Sequence, residues 1–241
     1  MRIAALLIFL FFSEAVFAGG VFKTIESKII EADDKGAVLE DSPYVPIGSS
    51  GVVIRKFDDK HSTIIAGAVV EKKEGDKMRI KFIMFDMLEQ SALPPLKIMP
   101  KKGDTVILNY LYNRAFVIAP NEDTYLEILS DFPQIDWIHP DILAAFLSKE
   151  YNPTPKKEDF QKVCKQNTSM LLFFAIEDKG YFVDCNSFKI LKEENIQAKE
   201  ANATLPFYSR IKDIESSIFN FGPDSIKNYD KYYKKLLGIE K

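Results

Sequence analysis

This chain of 241 residues has little of what most protein chemistry is made from: 2 cysteines, 2 histidines and 1 tryptophan. Neither His61 nor His139 has a second histidine or a cysteine near it at ligand spacing. A metal centre would therefore rest on carboxylates, and none is expected. Cys164 and Cys185 match no zinc pattern, and there is no Cys-x-x-Cys redox pair. Gly48-Ser49-Ser50-Gly51 lacks the Lys-Ser/Thr of a phosphate loop and precedes a strand, so it reads as a turn. No serine stands in a nucleophile-elbow context. Asp136, His139 and Asp141 can be drawn as a proton-transfer group, but turn and helix-start chemistry accounts for them. From these absences neither an enzyme nor a bound cofactor is expected. Charge of one sign is also lacking: 32 Lys and Arg are mixed among 35 Asp and Glu, which leaves no basic footprint for nucleic acid.

Long apolar runs are confined to the start of the chain. Met1-Arg2 is followed by the apolar run Ile3 to Phe12, then by Ser13-Glu14 and Val16-Phe17-Ala18-Gly19. The run is about half the ~20 residues a membrane span requires. The pattern predicts a secretory signal peptide over residues 1–18, cleaved between Ala18 and Gly19. The mature chain is then expected to carry no transmembrane span and to reside in the periplasm or at the cell surface. An oxidising compartment permits a disulfide. Cys164 and Cys185 are accordingly expected to form a structural bridge, with two buried thiols as the alternative.

The expected fold class is α+β: an N-terminal antiparallel β-barrel or sandwich, followed by a smaller α/β layer domain with a C-terminal helix. Residues 19–119 read almost entirely as strand, in short runs separated by turns such as Asp33-Asp34-Lys35-Gly36 and Glu74-Gly75-Asp76. Ala115 to Ala119 is counted as the last strand of that series. The period then changes over residues 120–204. Asn121 is a good N-cap for a helix with Tyr125, Ile128, Leu129 and Phe132 on one face. His139-Pro140-Asp141 opens a second helix, with Ile142, Leu143, Phe146 and Leu147 inward. Thr154-Pro155 begins a third, with Phe160, Val163 and Cys164 inward. A hairpin over 170–191 turns at Asp178-Lys179-Gly180, and the unbroken apolar run Leu171 to Ile176 suits a strand covered on both faces. Residues 192–204 read as a polar surface loop. Residues 205–241 form a helical segment, first around Ile211, Ile214 and Ile218, then from Asp224 to Leu237 with lysines on its outer face.

Within the polar stretch lies Glu200-Ala201-Asn202-Ala203-Thr204. Asn-x-Thr is a glycan acceptor pattern in exported proteins, and an acid two residues before the asparagine resembles the extended form used by some bacterial oligosaccharyltransferases. Asn202 is the candidate. A bare solvated loop is the alternative. Asn167-Thr168-Ser169 also fits the short form, but has Lys165 in the acidic position.

Five segments carry a family likeness: Gly51-Val52-Val53-Ile54-Arg55, Lys101-Lys102-Gly103-Asp104, His139-Pro140-Asp141, Pro153-Thr154-Pro155 and Leu205-Pro206-Phe207-Tyr208-Ser209-Arg210. Together they resemble the N-terminal domain family of bacterial plasminogen-binding protein A, over nearly the whole mature chain. The resemblance implies an exported protein that captures host plasminogen. The kringle modules of plasminogen hold a lysine ammonium near acids, its stem on aromatic rings and a carboxylate near cations. A C-terminal lysine offers all three features, so Lys241 is the expected contact, with Lys234 and Lys235 beside it. A second expectation, of a different class, is a periplasmic structural or assembly protein with an envelope protein as its partner.

Overall fold

A computed structural model describes residues 20–87, 98–197, 202–211 and 226–239 of the chain. The architecture is mixed α+β and mostly β, as the sequence pattern predicts. The expected helix around Ile211 to Ile218 lies largely outside the described residues.

The first sheet contains Ile25–Lys28 (β1), Glu31–Ala32 (β2), Gly36–Glu40 (β3), Ser50–Lys56 (β4), Ser62–Glu74 (β5), Lys77–Ile83 (β6) and Thr105–Leu108 (β7). These strands pair antiparallel in the order β1-β7-β4-β5-β6-β3-β2. Alternation turns Met78 and Ile80 of β6 inward, where they meet Leu39, Val53, Ala68, Val70, Val106 and Leu108. The sheet curls into a half-barrel. Its two edges, β1 and β2, are consecutive in the chain: between them the Ile29 N–H donates to the Asp104 carbonyl, and the Ile30 N–H donates to the Val38 carbonyl. Before the turn at Asp33, residues Val21 to Ala32 form a β-branched-rich run with no turn signal inside it. The structure bends it at Ile29-Ile30, so that one segment serves both rims. Gly51 lets β4 lie close against β7, because a Cβ there would run into the Ile107 backbone.

The second sheet follows from Arg114–Ile118 (β8). Then come helix Glu122–Asp131 (α1), strand Asp136–Ile138 (β9), and helices Pro140–Lys149 (α2) and Lys157–Gln166 (α3). Strands Leu171–Ile176 (β10), Lys179–Asp184 (β11) and Ile190–Asn195 (β12) complete the sheet, in the order β12-β11-β10-β8-β9. β8 runs parallel to both β9 and β10. Every residue of β10 is buried. Leu172, Phe174 and Ile176 face a core shared with α2, α3 and a C-terminal helix, Tyr229–Leu237 (α4). Leu171, Phe173 and Ala175 face the core that α1 closes with Tyr125 and Ile128.

Several local expectations change here. β8 belongs to this second sheet and not to the barrel series. The hairpin turns at Glu177-Asp178, where Glu177 takes a φ of 52°, and Gly180 sits inside β11. Gly180 is needed for space, since a Cβ there would overlap the Phe173 ring. The stretch 170–191 is thus a hairpin ending at Asp184 plus the start of β12, which pairs with β11 and occupies part of the expected polar loop. α3 begins at Lys157 and not at Pro155, because the Asp159 carboxylate accepts the Lys156 N–H at 2.7 Å. On α2, Ile142 is exposed and Ala144 takes the inward position.

Candidate functional site

α4 is held by its inner face. The Asn228 side chain caps it by accepting the Lys231 N–H at 2.8 Å, and Gly238, at φ 69°, closes its C-terminus. Three phenols then fasten the helix to the second sheet and its surroundings. Tyr229 donates to the Ile118 carbonyl at 2.9 Å, Tyr232 to the Pro155 carbonyl at 2.6 Å, and Tyr233 to the Pro206 carbonyl at 2.9 Å. Burial pushes the Tyr229 and Tyr233 hydroxyls well above their ordinary range, so both remain neutral donors.

What the helix presents outward is lysine. Lys231 and Lys235 are exposed, as is Lys227 just before the helix, and none of the three forms an ion pair among the described residues. Lys234 is half-buried and pairs with Glu177, whose hydrogen bond and charge raise the ammonium pKa. The Glu177 N–H in turn donates to Asp230 at 2.9 Å, tying the hairpin turn to α4. Of the lysines expected to bind, Lys235 is therefore in solvent and Lys234 is tethered. Lys241 lies outside the described residues, and so do Ala18 and Gly19.

Cys164 and Cys185 are joined in a disulfide linking α3 to the end of β11. Asn202 stands exposed in the segment leading to Phe207. Among the described residues no group of three or more His, Cys, Asp or Glu could hold a metal ion.

The five segments that carry the family likeness meet partners in space, which linear reading does not reveal. Arg55 grips Asp104 through two nitrogens, with Nη2 to Oδ2 at 2.7 Å, and the Lys101 N–H donates to the same carboxylate. Burial alone would raise the Asp104 pKa, but Arg55 and the Lys101 N–H hold it below the usual value. The Arg210 backbone N–H and Nε both donate to Asp141, at 2.8 and 2.7 Å. Tyr208 of the same segment packs on Tyr125, and burial with a hydrogen bond to Glu122 lifts its hydroxyl to about 12. Pro155 and Pro206 supply the carbonyls that hold Tyr232 and Tyr233. A further group carries no mark in the sequence. Asp184, fully buried, accepts Ser50 Oγ at 2.7 Å, Tyr112 Oη at 2.6 Å and the Ser187 N–H at 2.6 Å, while the Ser50 N–H donates to Tyr112 Oη. Only their burial marks these residues, and burial comes from strands far apart in the chain.

Fold and surface together define a two-sheet α+β protein that fixes a lysine-bearing helix against its second sheet. The chain belongs to the family described as plasminogen-binding protein pgbA N-terminal, which it matches over residues 24–237. It is similar to two curated proteins from strains of Helicobacter pylori, each named plasminogen-binding protein PgbA, at 29% and 28% identity over 198 residues. That match covers 81% of this chain and 43% of each relative, so the chain spans less than half the length of the curated relatives it matches. No solved structure matches the chain.

Proposed function

We propose that this chain is an exported, non-enzymatic binding protein that captures plasminogen through lysines on and just beyond α4, with Lys235 and Lys241 as the principal contacts. The observation carrying this reading is the outward presentation of Lys235 on a helix whose other face is fastened by three tyrosines. The names of the relatives give the ligand class. A kringle needs an ammonium on a long stem that can leave bulk water and lie along aromatic rings, and a helix locked in place offers this without first having to fold. Lys234 is a secondary contact. Its pair with Glu177 lies at the surface, where such pairs are worth about 0–1 kcal/mol, so a kringle carboxylate can replace it at small cost. Export is supported by the leader-like start and by the Cys164–Cys185 bond. Division into a leader (1–18), a β-rich unit (19–119), an α/β unit (120–204) and a helical segment (205–241) belongs to the same proposal, with β8 moved from the β-rich unit to the α/β unit.

The test is plasminogen binding by the purified mature chain. Binding is expected to be competed by a lysine analogue and to weaken about tenfold in Lys241→Ala. It should weaken further in Lys235→Ala, while Lys162→Ala, on α3, leaves it unchanged. Absence of binding, or binding indifferent to the lysine analogue, sinks the reading.

A further inference from the structure

The chain carries two Asn-x-Ser/Thr triplets in which x is not proline, and the fold treats them in opposite ways. In Asn167-Thr168-Ser169 the asparagine ends α3, and its Nδ2, the atom that would take a sugar, donates to the Val163 carbonyl at 2.9 Å. Thr168 stands at φ 50°. Ser169 is fully buried, with its hydroxyl on the Arg114 carbonyl at 2.9 Å. The Ser169 N–H donates to the Cys164 carbonyl, beside the disulfide, so the triplet cannot easily open. In Asn202-Ala203-Thr204 all three residues are exposed, as is Leu205 after them. Among the described residues this segment is held at Thr204, whose N–H donates to the Pro120 carbonyl at 2.7 Å, and burial begins at Pro206. Glu200 stands two residues before the asparagine. Residues 202–205 lie in no strand or helix that an enzyme would have to break on taking hold of them.

We propose that Asn202, and not Asn167, is the acceptor of an N-linked oligosaccharide in the exported protein. The donor is an oligosaccharide linked to a polyprenyl pyrophosphate. The Asn202 Nδ2 forms a bond to the anomeric carbon, the bond from that carbon to the pyrophosphate oxygen breaks, and the amide gives up one proton as the lipid pyrophosphate leaves. The proposal rests on export, because the lipid-linked donor is used on the non-cytoplasmic side of a membrane.

The full chain is to be produced in cells that carry an N-oligosaccharyltransferase and its lipid-linked donor, beside a control acceptor that those cells do modify. The expected result is a mature chain heavier by one oligosaccharide, with the sugar mapped to the peptide containing Asn202. Asn202→Gln and Thr204→Ala should return the mass to that of the bare chain, and Asn167→Gln should keep the increment. A leader-free chain at its bare mass while the control is modified overturns the acceptor and leaves export standing. So does a sugar mapped to Asn167, a result that peptide mapping of the unsubstituted chain reads without relying on any variant. A bare chain that still carries residues 1–18 overturns export and the acceptor together.

Discussion

Asp184 shows how much a single side chain can decide. It accepts hydrogen bonds from Ser50, Tyr112 and Ser187, yet burial outweighs them and its carboxyl pKa is raised. A folded value above the unfolded ~3.9 means that folding takes up a proton in the window above ~3.9. The contribution of this group to stability is therefore fullest at acid pH and falls as pH rises through the raised value. Asp104 and Asp141 run the other way. Burial raises them less than Arg55 and Arg210 with nearby N–H groups lower them, so their contribution is lost as pH falls below ~3.9. In urea unfolding, the stability gap between wild type and Asp184→Asn should be wider at pH 4.5 than at pH 7; an equal gap removes the assignment. Tyr112→Phe leaves both the buried Ser50 N–H and Asp184 Oδ2 short of a partner, and should cost about 2–3 kcal/mol. None of this was readable in advance. Ser50 and Asp184 are 134 residues apart, and an isolated serine or aspartate carries no periodic mark of burial.

Elements were more legible than residues, because their signals are local. Asn121 does cap α1, accepting the Thr124 N–H at 2.9 Å, and Pro140 opens α2. The 3.6-residue stripe of Phe160, Val163 and Cys164 does face the core. Errors came where one residue type suits two settings. Gly180 reads as a turn residue but serves as a gap for an aromatic ring, and Pro155 reads as a helix start although Asp159 places that start two residues later. α4 gives the sharpest test at this scale. Tyr233→Ala removes a buried ring packed on Phe174 and the bond to Pro206, at a cost of about 3–5 kcal/mol. The helix should detach: far-UV helical signal falls and trypsin cleaves early beyond Lys227, while Trp137 emission from β9 is unchanged. Tyr233→Phe, which loses only the hydrogen bond, should cost about 1 kcal/mol and leave α4 docked. Opening the disulfide by Cys164→Ala with Cys185→Ala frees a loop of 21 residues, worth on the order of 3 kcal/mol.

At the scale of the whole molecule, the two sheets are stitched by polar contacts. Ser50 reaches Asp184, Ser187 Oγ donates to the Gly48 carbonyl at 2.7 Å, and Lys165 pairs with Asp86 at 2.6 Å. Phe22 lies edge-on to both Tyr112 and Phe182, filling space between them. The halves should unfold as one. The only tryptophan, Trp137, reports the second sheet alone, whereas far-UV circular dichroism reports both, so the two urea curves should coincide. Ser50→Ala combined with Ser187→Ala should separate them, and a wild type with already divergent curves contradicts the coupling. Sequence pattern recovered the fold class but misplaced β8. Strand order is a non-local property, and nothing within Ala115 to Ala119 says that its neighbours are β9 and β10.

The bend at Ile29-Ile30 has an outcome that concerns access. Because residues 25–32 cover both lips of the curled sheet, shearing off that one short stretch would bare two seams together, the outer side of β7 and that of β3. With the stretch in place, those two ladders are already taken, and a visiting chain meets only the outer sides of the short edge strands β1 and β2.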